Sequence, residues 1–192
     1  MARSADDASI SEQLITGALR LITDEGPGDL SVRRLAQAGN RSTMCVYTKF
    51  GSRQGLLAAV YDRAAAEFLA VLRAAPRELT ALAETYRAEA ARSPGMYAFL
   101  FEQYPASLGL SSAPRASLIG EACALITAAA RVGRDEATST WATLHGLVSL
   151  QQTGQTTDLA TERTPWPARF LDLLNLCRQP DRSSSQLPAG QP

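Results

Sequence analysis

The chain has 192 residues, 45% of them hydrophobic, enough to bury a core and too many for a disordered polymer. Nineteen basic residues balance nineteen acidic ones, so net charge alone gives no argument for a nucleic-acid partner, and a single histidine excludes most multi-histidine metal and catalytic sets. No apolar run approaches the roughly 18–20 residues of a membrane span, and the polar start MARSADDASISEQ lacks the apolar stretch of a secretory signal, so no membrane partner and a cytoplasmic location are expected.

In chain order, Ile10, Leu14, Ala18, Leu21 and Ile22 recur at helical spacing and predict a helix over Ser9–Glu25, stopped by Gly26-Pro27-Gly28. Ser31 is placed to cap a short helix through Ala38, with Val32, Leu35 and Ala36 inward, and Gly39-Asn40 supplies a tight turn. A third short helix follows Ser42 or Thr43 and runs to about Phe50. Gly51-Ser52 precedes a long helix from Arg53 to about Ala75 carrying Leu56, Leu57, Val60, Ala64, Phe68, Val71 and Leu72. Further helices are predicted over 77–92, from Ser93-Pro94 through an aromatic-rich run, over 115–131, over 135–153 and over 166–178, with a disordered tail at 179–192. Cys45, Cys123 and Cys177, widely spaced and without a CxxC pair, read as small apolar residues. No strand alternation is present, and the expected fold is all-α.

Zero net charge conceals an uneven distribution. From Leu30 through Tyr61 there is no acid, yet Arg33, Arg34, Arg41, Lys49 and Arg53 all fall there, and Lys49 is the chain's one lysine. Such a block makes a local positive field. Two short helices across a Gly-containing turn form a helix-turn-helix pattern, which must turn apolar residues inward and small or polar ones toward a major groove. In the second helix Cys45, Val46 and Phe50 suit the inward face, leaving Thr43, Met44, Tyr47 and Thr48 toward bases. Ser31, Ser42, Tyr47, Lys49 and Arg53 suit phosphate contacts, and Arg33 and Arg34 suit phosphate or a guanine edge.

The stretch LITDEGPGDLSVRRLAQAG, followed by STMCVYTKFGSRQGLLAAVYDRA, resembles the N-terminal domain of the TetR family of bacterial regulators. Leu30-Ser31-Val32-Arg33, Leu35-Ala36 before Gly39, Val46-Tyr47, Lys49-Phe50 and Ser52-Arg53 ahead of Leu56-Leu57 carry the likeness. The resemblance implies a three-helix DNA-binding module in which Tyr47, Lys49 and Arg53 match phosphate contacts, and it implies a homodimer. One departure is visible. The separation from Gly39 to Tyr47 is eight residues, one more than in the family, because Asn40-Arg41 stands where a single residue, often Val, is usual. A slightly longer turn is expected, with Arg41 added to the phosphate side.

Downstream, Trp141, His145 and Gly146, with Ser93-Pro94-Gly95-Met96-Tyr97 before them, resemble a regulatory domain named for its Trp-His-Gly pattern in some family members, where that domain holds the ligand pocket and dimer helices. By periodicity alone Trp141, Leu144 and Val148 form a buried stripe, as plain core does. His145 fits a satisfied core histidine or a ligand contact, and the aromatic run fits core or pocket wall. The candidate ligand contacts are Tyr86, Met96, Tyr97, Leu100, Phe101, Tyr104, Trp141 and His145.

These readings divide the chain at 1–55, a DNA-binding head, 56–178, a ligand-binding and dimerisation body, and 179–192, the tail. The expected function is a sequence-specific regulator of double-stranded DNA at a palindromic operator, released by a small, largely apolar effector. It would dimerise through helices near 135–153 and 166–178. Alternatives are an activator, or a ligand-binding protein whose head has altered or lost DNA reading. No metal or cofactor is expected, and scattered carboxylates with unpaired cysteines offer no catalytic set.

Overall fold

The structure, a computed structural model, describes residues 2–153 and 170–171. Helix α1 spans Ala2–Glu25, beginning well before Ser9 because ARSADDA holds no Gly or Pro to stop it. It ends at Gly26, whose φ of +76° and N–H bond to the Ile22 carbonyl (2.9 Å) close the helix as a glycine C-terminus.

Helices α2 (Val32–Ala38) and α3 (Thr43–Phe50) follow. Ser31 and Ser42 hold the N-cap positions with extended backbone, but neither hydroxyl makes a cap hydrogen bond. The expected Ser31 cap is one of position only. Its N–H donates to Asp29 Oδ1 (3.1 Å), while Ser42 Oγ meets Cys45 Sγ at 3.5 Å. In the intervening turn only Asn40 is left-handed, at φ +54°. Gly39 has an ordinary φ of −82°, and its lack of a side chain serves packing instead. A Cβ there would lie 2.9 Å from Leu14 Cα, and one on Gly17 would lie 2.4 Å from the Ala38 carbonyl. The backbones of α1 and the end of α2 therefore touch.

Helix α4 (Arg53–Ala74) is capped by Ser52 Oγ, which accepts from the Gly55 N–H at 3.0 Å. Leu56, Leu57, Val60, Tyr61, Ala64, Phe68, Leu69 and Leu72 are buried along it. Val71, predicted with that stripe, lies on its outer margin and is exposed. Helix α5 (Leu79–Arg92) leads through Ser93 into α6 (Pro94–Tyr97), which widens into a π-helical turn at Ala98–Glu102. Phe99, Leu100 and Phe101 all bury there, and a 3-10 turn at Pro105–Leu108 follows. Helices α7 (Ala113–Ala130) and α8 (Arg134–Gln152) close the described body.

Packing follows from these faces. Helix α1 lies against α2, α4 and α6, while α7 packs on α8 and α4. One apolar cluster runs from Leu14 through Val148 and includes Phe170, so the core passes across residue 55 without a break. The predicted helix over 166–178, Phe170 and Leu171 apart, and the tail at 179–192 lie outside the described residues. Among the described residues all regular structure is helical, and no single helix is long and apolar enough to cross a membrane.

Candidate nucleic-acid interface and aromatic cluster

Helix α3 is anchored by Val46, fully buried, with Cys45 and Phe50 half-buried against the same core. The opposite face is open: Thr43, Met44, Tyr47 and Thr48 are exposed, Met44 at 69% and Tyr47 at 52%. A groove between α2 and α3 is lined by Arg33, Gln37, Asn40, Arg41, Ser42, Thr43 and Cys45. Gln37 was not singled out from sequence, and Asn40 only as a turn residue; the close of α2 sets both in the groove with Arg41.

The five cations divide into two groups. Arg33 and Arg41 are exposed and Lys49 is half-buried in the last turn of α3. Arg34, by contrast, pairs with Glu25 and lies 3.6 Å from Asp29 Oδ2. Arg53 donates from Nε to the Leu30 carbonyl (2.6 Å) and from Nη1 to the Leu108 carbonyl (3.2 Å). Both guanidinium groups face the protein instead of the open side, since a half-buried cation must satisfy its donors. In this structure the guanidinium groups of Arg34 and Arg53, both expected at phosphates, are engaged by groups of the protein itself. Ser31 and Ser42 remain exposed, and Thr48 Oγ1 is turned onto the Met44 carbonyl at 2.8 Å. The Ser42 contact, with the charges of Arg41 and Lys49, holds the Cys45 thiol below its ordinary range.

In the body, Tyr86, Tyr97, Leu100 and Phe101 are buried and Met96 is half-buried. Tyr104, predicted among them, is 74% exposed, because the chain turns extended at Gln103 and carries it outward. Tyr97 Oη approaches His145 Nδ1 at 2.6 Å, and Tyr86 Oη approaches the same nitrogen at 3.1 Å. Burial, aided by the charge of Arg115, lowers the His145 pKa, so the ring is neutral near pH 7 and Nδ1 can accept from a tyrosine hydroxyl. Burial likewise raises both tyrosines. Trp141 stacks on His145 with ring centroids 4.8 Å apart and planes within 5°, as their four-residue spacing on α8 allows. Its indole N–H is buried without a hydrogen-bond partner.

Arg115, not singled out from sequence, donates from Nε to the Leu100 carbonyl (3.0 Å), which also accepts from Tyr61 Oη (2.9 Å). An orphan carbonyl at the end of the π turn is satisfied in this way. The signal was present: Arg115 is the one cation in a helix made largely of apolar residues. Among the described residues no group of three or more His, Cys, Asp or Glu could hold a metal ion.

Residues 79–174 match the family described as tetracyclin repressor-like, C-terminal domain. No curated protein matches the chain. Among solved structures, a TetR-family transcriptional regulator from Streptomyces coelicolor is similar at 21% identity with a TM-score of 0.57, covering 87% of this chain and 76% of that one. A TetR family transcription regulator from Marinobacter aquaeolei VT8 gives 16% identity and a TM-score of 0.63, covering 91% and 97%. The fatty acid degradation regulator FadR from Bacillus halodurans gives 14% and 0.60, covering 90% and 96%.

Proposed function

The chain belongs to the TetR family of transcriptional regulators, whose members are not enzymes, and on that premise we propose that it is a homodimeric, operator-binding repressor released by a small, largely apolar effector. The observation that carries the reading is the exposed face of α3, where Thr43, Met44, Tyr47 and Thr48 stand out beside Arg41 while Val46 locks the opposite face to the core. A helix so presented suits a major groove. Thr43, Met44 and Thr48 would meet base edges. Tyr47, Lys49, Arg33, Arg41, Ser31 and Ser42 would hold the flanking phosphates, with Arg34 and Arg53 keeping the head rigid behind them.

The functional division is a head of residues 1–55 on a body of 56–178. Two heads set about 34–36 Å apart by a dimer through α8 and the 166–178 segment would occupy successive major grooves of a palindrome. A ligand that favours a body with other head spacing lowers operator affinity by its difference in affinity for the two states. The tyrosines, Trp141 and His145 would form one wall of its site. Repression rather than activation follows if the bound operator overlaps a promoter.

The test is selection of duplex DNA by the purified protein, followed by salt titration. Lys49→Ala and Arg41→Ala should each weaken binding across all sequences and lower the slope of log affinity against log salt by about one. Undiminished specific affinity after joint loss of Arg41, Tyr47 and Lys49 would show that DNA docks elsewhere.

A further inference from the structure

Helix α3 presents four side chains outward, Thr43, Met44, Tyr47 and Thr48, and their chemistry is uneven. Met44 is 69% exposed and ends in a thioether, which donates no hydrogen bond and accepts only weakly. Thr48 carries a hydroxyl, but its one proton goes to the Met44 carbonyl at 2.8 Å. With Oγ1 turned onto the helix backbone, the branch that Thr48 offers a partner is its γ-methyl. Met44 and Thr48 stand four residues apart, so they lie on one face with Cβ atoms about 5–6 Å apart. The outward face of α3 is therefore apolar at both of these positions.

We propose that α3 reads its operator by thymine methyl groups, with Met44 seated on one thymine and the methyl of Thr48 on another. The inference deepens the operator-binding reading above and rests on it. In the major groove thymine differs from the other bases by its C5 methyl, which is recognised by apolar contact. Guanine and adenine are read instead by paired hydrogen bonds from Arg, Lys, Asn or Gln. Helix α3, TMCVYTKF, contains no Arg, Asn or Gln, and its one lysine is half-buried in the last turn.

Groups that pair with purine edges or phosphates stand to one side, in the groove toward α2, as Arg33, Gln37, Asn40 and Arg41. None of the described lining residues of that groove is acidic. The two regions thus divide the work: donors and charge lie along the α2 side, and methyl contacts lie under α3. Thymine is the base that such a face of α3 prefers, because a cytosine or purine there leaves Met44 and the Thr48 methyl against polar edges. The preference per base is modest, the effect of taking one methyl-sized group out of water, about three- to fivefold in affinity.

The experiment selects a duplex from a random pool with the purified full chain and then replaces its thymines one at a time by deoxyuridine. That change removes the C5 methyl and leaves every hydrogen-bonding group of the base in place. Two of the replacements should each lower affinity about three- to fivefold. Met44→Ala should abolish the effect at one of them, and Thr48→Ser, which keeps the hydroxyl and removes only the methyl, at the other. Thr48→Val, which keeps the methyl and lacks the hydroxyl, should bind the thymine duplex as the unaltered chain does. Both residues are exposed, so Tm should hold in all three variants. A selected duplex indifferent to deoxyuridine overturns the methyl reading and leaves operator binding standing. A deoxyuridine loss that Met44→Ala and Thr48→Ser leave unchanged overturns it too, since the loss then comes from the stiffness of the DNA. Weakened binding in Thr48→Val would assign base reading to the hydroxyl and overturn it equally. If no duplex is enriched, the operator-binding reading falls and this one with it.

Discussion

Arg53 carries the same charge as Lys49, four residues before it, and its own partners are two backbone carbonyls. Arg53 bridges the Leu30 and Leu108 carbonyls, tying the loop before α2 to the turn after the π-helical segment. Arg53→Ala removes two charge-assisted bonds and strands both acceptors, and should cost about 2–3 kcal/mol in urea unfolding. A neutral result there would mean that the guanidinium is free to serve a phosphate. His145 supplies a second residue-scale prediction. Its folded pKa lies below the ordinary 6.5 because burial disfavours the imidazolium. The unfolded chain therefore binds more protons than the folded one below about pH 6.5. Stability from the neutral ring is complete above that value and falls as pH drops from 6.5 through the folded pKa. His145→Gln, which keeps a neutral side chain able to hydrogen-bond, should flatten the decline; an unchanged acid limb in thermal unfolding would assign it to other groups.

At the scale of the element, the helix-turn-helix is held by glycine contacts more than by caps. Gly17 and Gly39 let α1 and the end of α2 meet backbone to backbone, and no rotamer change can relieve a Cβ set 2.4 Å from the Ala38 carbonyl. Gly17→Ala should destabilise the head by about 1–3 kcal/mol despite alanine's better helix propensity. In α7, Gly120 meets nothing within 4 Å, and Gly120→Ala should instead stabilise by about 0.5–1 kcal/mol. Calorimetry on the two variants separates packing from propensity; equal shifts would remove the interlock. Asn40 explains how the longer turn is tolerated. It alone of the pair Gly39-Asn40 takes the left-handed conformation, which asparagine bears better than valine. The N–H groups of Asn40 and Arg41 then return to the carbonyls of Gln37 and Ala36, so the extra residue closes α2 without displacing Val46 from the core.

Over the whole molecule, the head does not stand apart from the body. Helix α1 belongs to the three-helix head yet packs on α4 and α6, and one apolar cluster spans both regions. Any change in the body that moves α6 or α4 is therefore felt at α1, which is the physical requirement for an effector acting at a distance. Much of this was legible in the chain. The all-helical class, the breaks at Gly26, Gly39 and Gly51, and the acid-free stretch from Leu30 to Tyr61 follow from residue spacing and local turn chemistry, and the ordered motif from Ser31 to Leu57 identified the family. Such features depend on neighbours a few residues away, so sequence alone determines them. Tertiary structure decided the partners of Arg34 and Arg53: Glu25, Asp29, Leu30 and Leu108 come to them only when the helices cross. It also decided that Tyr104 leaves the aromatic cluster and that Arg115 and Tyr61 share the Leu100 carbonyl. Burial and hydrogen-bond satisfaction are properties of the assembled fold, and no spacing rule states in advance which distant carbonyl or carboxylate will meet a given side chain.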